Sequence, residues 1–209
     1  MEKKHIITIS GKPGSGKSST ADKVAELLSY TRYSAGDMVR TRIQKQGITL
    51  GRFNEMALQD HKIDHEIDEE LRKLRDQKNI VIDSRLGFYW IPESFKVYLD
   101  LDMQVATERI YKDSLHNTLR EHGSGTDYSI QDAQQLITSR IENEKQRFKA
   151  LYGINPYNNA IFDLIINTSD HSPDTVALTV LATYKKWLQS DGWSQVVSEA
   201  SVTDNSENS

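Results

Sequence analysis

Short apolar runs alternate along the chain with longer stretches of helical periodicity. Residues 5–9 (HIITI), 79–83 (NIVID), 95–100 (FKVYLD) and 161–166 (IFDLII) are the runs, and each predicts a short buried strand. Residues 17–29 predict a helix, with Ala21, Val24, Ala25 and Leu28 at positions i, i+3, i+4 and i+7. Residues 36–78 are mostly helical, with Ile63, Ile67, Leu71 and Leu74 on one face. That stretch is too long for a simple crossover and predicts an inserted helical lobe. An amphipathic helix over residues 174–188 closes the pattern. Strands separated by helices imply βα units, and so a parallel sheet with helices on both faces.

Two polar segments break this rhythm. Residues 111–139 contain HGSGTD and are expected to be mobile. The end of the chain, SEASVTDNSENS, has almost nothing apolar to bury, so residues 194–209 are expected to form a disordered tail behind a single domain over 1–193. The bulk numbers agree with one domain: 209 residues, 37% hydrophobic and 27% charged. A net charge of −4 argues against a surface built to coat nucleic acid. The chain has no cysteine, which excludes disulfides, zinc–thiolate sites and cysteine nucleophiles. No apolar run approaches the length of a membrane span, and MEKKHIITIS lacks the long apolar region of a signal peptide. The expected setting is the cytoplasm, without nucleic-acid or membrane partners.

Candidate chemistry begins at the first strand. Gly11-Lys12-Pro13-Gly14-Ser15-Gly16-Lys17-Ser18 satisfies G-x-x-x-x-G-K-S/T between a strand and a helix. Glycines let the backbone curl until its N–H groups form a nest for phosphate oxygens, and the helix adds its positive end. Lys17 is expected to reach the β- and γ-phosphates of a bound nucleotide. Ser18 is expected to hold Mg²⁺, which prefers hard oxygen ligands. Asp83 ends the NIVID strand, where ligands of open α/β sheets bind, and can hold the same ion directly or through its water. A strand-end carboxylate can equally cap a turn.

Arg85 leaves that strand two residues later, and Arg109, Lys112, Arg120, Arg140 and Arg147 flank or lie within the polar segment 111–139. Phosphoryl transfer needs such cations, because charge spreads over the migrating group. Any one of them could also sit on a solvated helix face, with Lys112 and Arg120 the weakest candidates. His61 and His65 lie at i, i+4 but lack a third metal ligand, so an exposed face is the better reading. Trp187 and Trp193 read as packing residues.

With these residues in place, the chain resembles the nucleoside monophosphate kinases, and most of all the short, archaeal-type cytidylate kinases. Besides the phosphate loop, four segments carry the likeness. Tyr33-Ser34-Ala35-Gly36-Asp37-Met38-Val39-Arg40 is similar to the entry of the monophosphate-binding lobe. The resemblance implies an acceptor site lined by Ser34, Gly36 and Asp37, with Arg40 on the acceptor phosphate. Lys62-Ile63-Asp64-His65-Glu66-Ile67-Asp68 resembles that lobe's paired-aspartate helix, which brings in Asp64. Val81-Ile82-Asp83-Ser84-Arg85-Leu86 resembles the run that places Arg85 on the acceptor nucleotide. Arg140, Glu144 and Arg147 follow the spacing R-x-x-x-D/E-x-x-R, and RFKALYGIN with FDLIINTS follows after. Arg140 would then touch phosphate, while Glu144 and Arg147 contact acceptor sugar, base or phosphate. The long segment 113–137 departs from the pattern.

The resemblance implies a three-layer α/β phosphate-loop fold with a five-stranded parallel sheet. A monophosphate-binding lobe spans about residues 36–78 and a lid about 110–147. It implies an ATP- and Mg²⁺-dependent kinase of CMP or dCMP that works as a monomer. ATP contacts would come from Gly11 through Ser19, with Lys12, Pro13, Gly14, Ser15 and Gly16 in the loop, and from Arg109. Lys17, Arg85, Arg140 and Arg147 would act in catalysis. Two other readings stay open: a kinase of another nucleotide or small metabolite, and a nucleotide-binding regulator without turnover.

Overall fold

The structure is a computed structural model, and it describes residues 3–48, 52, 56, 62–116 and 129–199. A parallel sheet forms its middle layer. Its strands are β1 (Ile6–Gly11), β2 (Thr31–Ser34), β3 (Ile80–Asp83), β4 (Phe95–Asp100), β5 (Leu164–Asn167) and β6 (Val196–Glu199), in the spatial order β2-β3-β1-β4-β5-β6. Every neighbouring pair is parallel, with Ile9 opposite Asp83 and Gly11 opposite Leu99. This register brings the ends of β1 and β3 level, which is what puts the phosphate loop beside Asp83.

The helices are α1 (Lys17–Leu28), α2 (Ala35–Gln46), α3 (Lys62–Leu74), α4 (Gly87–Trp90), α5 (Met103–His116), α6 (Ile130–Tyr152) and α7 (Pro173–Gln189). The strand period of two sorts the core onto two faces. Ile7, Ile9, Val81 and Val97 pack with Val24 of α1 and Val180 of α7. Ile6, Ile80 and Ile82 point the other way and pack with Leu71 and Leu74 of α3. Trp187 is buried in the first of these clusters and Trp193 packs against it, as expected of packing residues. No helix among the described residues is long and apolar enough to cross a membrane.

Two expectations need correction. The sheet has six strands, not five. The sixth, Val196–Glu199, lies inside the segment expected to be a disordered tail, and Leu164 of β5 pairs with Val196. The turn of chain after α7 carries Trp193 back to the core, where its indole N–H donates to the Asp163 carbonyl at 3.1 Å. That anchor delivers the next residues to the open edge of β5. Of the polar segment 111–139, the described ends belong to helices: α5 runs to His116 and α6 starts at Ile130 under a capping box of Ser129 and Asp132. The HGSGTD stretch, Arg120 and His61 lie outside the described residues.

Candidate active site

The phosphate loop is shaped by its glycines. A Cβ on Gly11, whose φ is +143°, would meet the Leu99 carbonyl oxygen at 2.1 Å, because β4 passes directly alongside. Gly16 ends the loop in the left-handed region with φ 80°, and no side chain caps α1 behind it. The first N–H groups of α1 are therefore not claimed by a cap. The Ser15 hydroxyl is buried without a hydrogen-bond partner. Lys17 curls back over the loop and donates to the carbonyls of Lys12 (2.7 Å) and Gly11 (3.1 Å). Burial pushes its pKa well below the usual lysine value, and the nearby charges of Arg85 and Arg140 push the same way, against the pull of Asp83 and Glu144.

Beside the loop, the Ser18 hydroxyl donates to Asp83 at 2.7 Å. Both are hard oxygen donors, and Asp83 is buried. No group of three or more His, Cys, Asp or Glu side chains that could hold a metal occurs among the described residues. The set at Ser18 and Asp83 suits Mg²⁺, which takes one or two protein oxygens and otherwise phosphates and water. The same Asp83 oxygen also faces the Ser34 hydroxyl at 3.4 Å and Arg32 at 3.5 Å. Arg32, on β2, was not singled out from the sequence. It makes further ion pairs to Asp22 (3.0 Å) and Asp37 (2.9 Å).

The arginines converge on one carboxylate. Glu144 of α6 accepts from Arg85 Nε at 2.5 Å and from Arg140 Nε at 2.9 Å, and Tyr157 donates its phenol proton to the same side chain. Arg85 also donates to the Gly11 carbonyl at 2.6 Å, tying the cluster to the phosphate loop. Glu144 is 4% exposed. Burial alone would raise its pKa. Arg85, Arg140 and the Tyr157 hydroxyl outweigh that and hold the carboxyl well below the usual range. Arg85 is likewise pulled both ways: burial disfavours its charge, and Glu144 restores it. Tyr157 is the other residue that sequence reasoning missed; it sits in a loop and no motif flags it.

On the acceptor side, Ser34 caps α2 by accepting from the Asp37 N–H at 3.2 Å. Asp37 also pairs with Arg40. A Cβ on Gly36 would lie 3.3 Å from the Arg40 guanidinium, so glycine there leaves that side chain its room. The two aspartates of α3 are both buried. Asp64 lies 3.2 Å from Arg147 Nε. Arg147 is only 7% exposed, yet its Nη1 has no hydrogen-bond partner. Asp68 accepts from Trp90 Nε1 at 2.8 Å and from the Tyr152 hydroxyl, which pins α3 to α4 and α6.

Arg109 and Lys12 hold the opposite rim. Arg109 donates to the carbonyls of Thr168 (2.7 Å) and Ser169 (3.0 Å) and lies 3.5 Å from that of Gly14. Lys12 pairs with Asp100 at 2.6 Å. Ser19 and Lys112 are exposed, and Pro13 is buried. The structure thus brings together the loop, Asp83, Arg85, Arg140 and Glu144. It places Ser34, Asp37 and Arg40 at the start of α2, and Asp64 with Arg147 between α3 and α6.

The cytidylate kinase-like family model matches residues 6–170. The chain is 37% identical over 179 residues to the cytidylate kinase of Halobacterium salinarum, covering 84% of this chain and 87% of that one. It is 34% identical over 181 residues to the cytidylate kinase of Sulfurisphaera tokodaii, covering 85% and 93%. Among solved structures, shikimate kinase from Acinetobacter baumannii aligns with a TM-score of 0.56 at 15% identity, over 88% of this chain and 95% of that one. A gluconokinase from Sinorhizobium meliloti 1021 aligns with a TM-score of 0.55 at 16% identity, over 90% and 96%. At such identities the structural likeness is one of fold.

Proposed function

We propose that this chain, which belongs to the cytidylate kinase-like family, transfers the γ-phosphoryl group of ATP to CMP or dCMP. It is an enzyme, a nucleoside monophosphate kinase. The observation that carries the catalytic reading is a crowding of like charge. Lys17 has only carbonyl partners, and Arg85 and Arg140 stand close enough to depress its pKa. One buried carboxylate, Glu144, serves both arginines. Such a cluster is preset for a polyanion.

The roles follow from position. Gly11, Lys12, Pro13, Gly14, Ser15, Gly16, Ser18 and Ser19 cradle the ATP phosphates, and Arg109 braces the loop from the β5 side. Lys17 leaves its carbonyl partners for the migrating group. Arg85 and Arg140 neutralise the charge that develops there, while Arg147, paired with Asp64, serves the acceptor side. The acceptor phosphate is already a nucleophile, so no side chain need take a proton. Catalysis is positioning plus charge stabilisation. Ser18 and Asp83 would hold Mg²⁺, which supplies further charge neutralisation on the ATP phosphates.

Arg40 at the head of α2 would hold the acceptor phosphate, with Ser34, Gly36 and Asp37 lining the entry to a monophosphate-binding lobe over residues 36–78. Asp64 and Arg147 offer an acceptor and an unspent donor side by side. Cytosine presents an amine donor beside acceptor atoms, so the pair complements its edge. Uracil presents a carbonyl where the amine would be and meets the carboxylate with like polarity. The reaction is tested by ³¹P NMR of the protein with Mg·ATP and CMP. Growth of CDP and ADP signals in equal amounts is expected. ATP hydrolysis without CDP, or no turnover, would remove the assignment.

A further inference from the structure

Arg32 stands where three elements meet. Its Nε lies 3.0 Å from Asp22 on α1, its Nη1 2.9 Å from Asp37 on α2, and its Nη2 3.5 Å from Asp83 at the end of β3. It is largely buried, with a side-chain exposure of 22%. Asp83 is the carboxylate that Ser18 touches, and Asp37 is the one that Arg40 touches. One guanidinium is thus shared between the metal-site carboxylate and the carboxylate that restrains the acceptor-side arginine.

We propose that Arg32 is a positioning residue that couples metal–nucleotide binding at Asp83 to acceptor binding at Arg40. The proposal rests on the assignment of Asp83 to the metal and Arg40 to the acceptor phosphate. A divalent cation at Asp83 takes up that carboxylate's charge and repels the guanidinium beside it. Arg32 then commits to Asp37 and Asp22. Asp37, more fully neutralised, holds Arg40 less tightly, and Arg40 is released to the incoming phosphate. The contact that differs between the two states is the sharing of Arg32, and coupling of this kind is reciprocal.

Calorimetric titration of CMP into the full chain tests this, with the non-hydrolysable analogue AMPPNP present either with excess Mg²⁺ or with EDTA. In the wild type, CMP should bind at least fivefold tighter with the metal. In Arg32→Gln that metal-dependent factor should fall by threefold or more, while AMPPNP alone binds as before. Part of the factor will survive, because Mg²⁺ also screens the nucleotide phosphates. Arg32→Lys keeps the charge but cannot span three carboxylates, and it should lose the factor similarly; it serves if the glutamine variant does not fold. A metal-dependent factor within twofold of wild type in a folded variant overturns the proposal, as does a wild type without such a factor. A wild type that binds no CMP at all removes the acceptor assignment, and the proposal with it.

Discussion

The phosphate loop and the arginine cluster lie side by side at the ends of the strands, joined by Arg85 and the Gly11 carbonyl, yet they are built in opposite ways. The loop is made of consecutive residues. Its shape comes from backbone conformation, with Gly11 pressed against β4 and Gly16 in the left-handed region. The cluster is made of side chains far apart in sequence. Arg85 follows β3, Arg140 and Glu144 stand on α6, and Tyr157 lies in the loop beyond. The loop has unspent donors and Lys17 held by carbonyls alone. The cluster carries its own partial counter-charge, one carboxylate, Glu144, for two guanidinium groups. A rigid backbone cradle can wait empty, whereas buried guanidinium groups need a counter-charge to be stable before substrate arrives.

The largest break in this comparison comes at Lys17. Lys17→Ala should lower kcat by on the order of 10²–10³-fold or more, since it removes a preorganised charge at the migrating group. The fold should survive, because the side chain holds only two loop carbonyls. Steady-state kinetics with circular dichroism checks both halves, and a loss of only a few-fold in a folded protein would count against the loop mechanism.

Glu144 should show the reverse signature, a structural loss alongside a catalytic one. Glu144→Ala leaves Arg85 and Arg140 without their shared partner and should destabilise the protein by about 3–5 kcal/mol in urea unfolding. Acid should do the same reversibly. The folded Glu144 carboxyl is held below the ordinary glutamate value of about 4.3, so its contribution is fully present above that pH. It is lost as pH falls from there toward the folded value. Glu144→Gln should lack this part of the acid-driven loss. An identical pH slope in wild type and variant would show that the cluster is not what holds this region.

A smaller effect separates the two substrates. Arg85→Ala should weaken CMP binding at least tenfold more than ATP binding, measured by calorimetry with each ligand alone. Equal losses would assign Arg85 to the nucleotide side instead.

The same contrast explains what could be read from the sequence. The loop is contiguous, so its motif, strand and helix were legible at residues 6–28. The arginines and Glu144 were legible only through the spacing along α6 and the family resemblance; nothing local says that Arg85 and Arg140 share one carboxylate. Arg32 was not legible, because its three partners are brought to it by strand register and by the start of α2. Tyr157 was missed for a similar reason. Two strands also escaped. β2 (TRYS) is a short polar edge strand, and β6 (VVSE) depends on the Trp193 anchor rather than on its own hydrophobicity. Edge strands of four residues carry little of the pattern that marks a buried one.

The identity of the acceptor decides the function. The direct measurement is kcat/KM for CMP, dCMP, UMP, AMP and GMP at fixed, saturating Mg·ATP. CMP or dCMP should lead the others by at least tenfold, because a site that pairs with the cytosine edge leaves buried polar groups unmatched when another base enters. If AMP or UMP is used as well as CMP and dCMP, the assignment to cytidylate is wrong, whatever the loop and the arginines do.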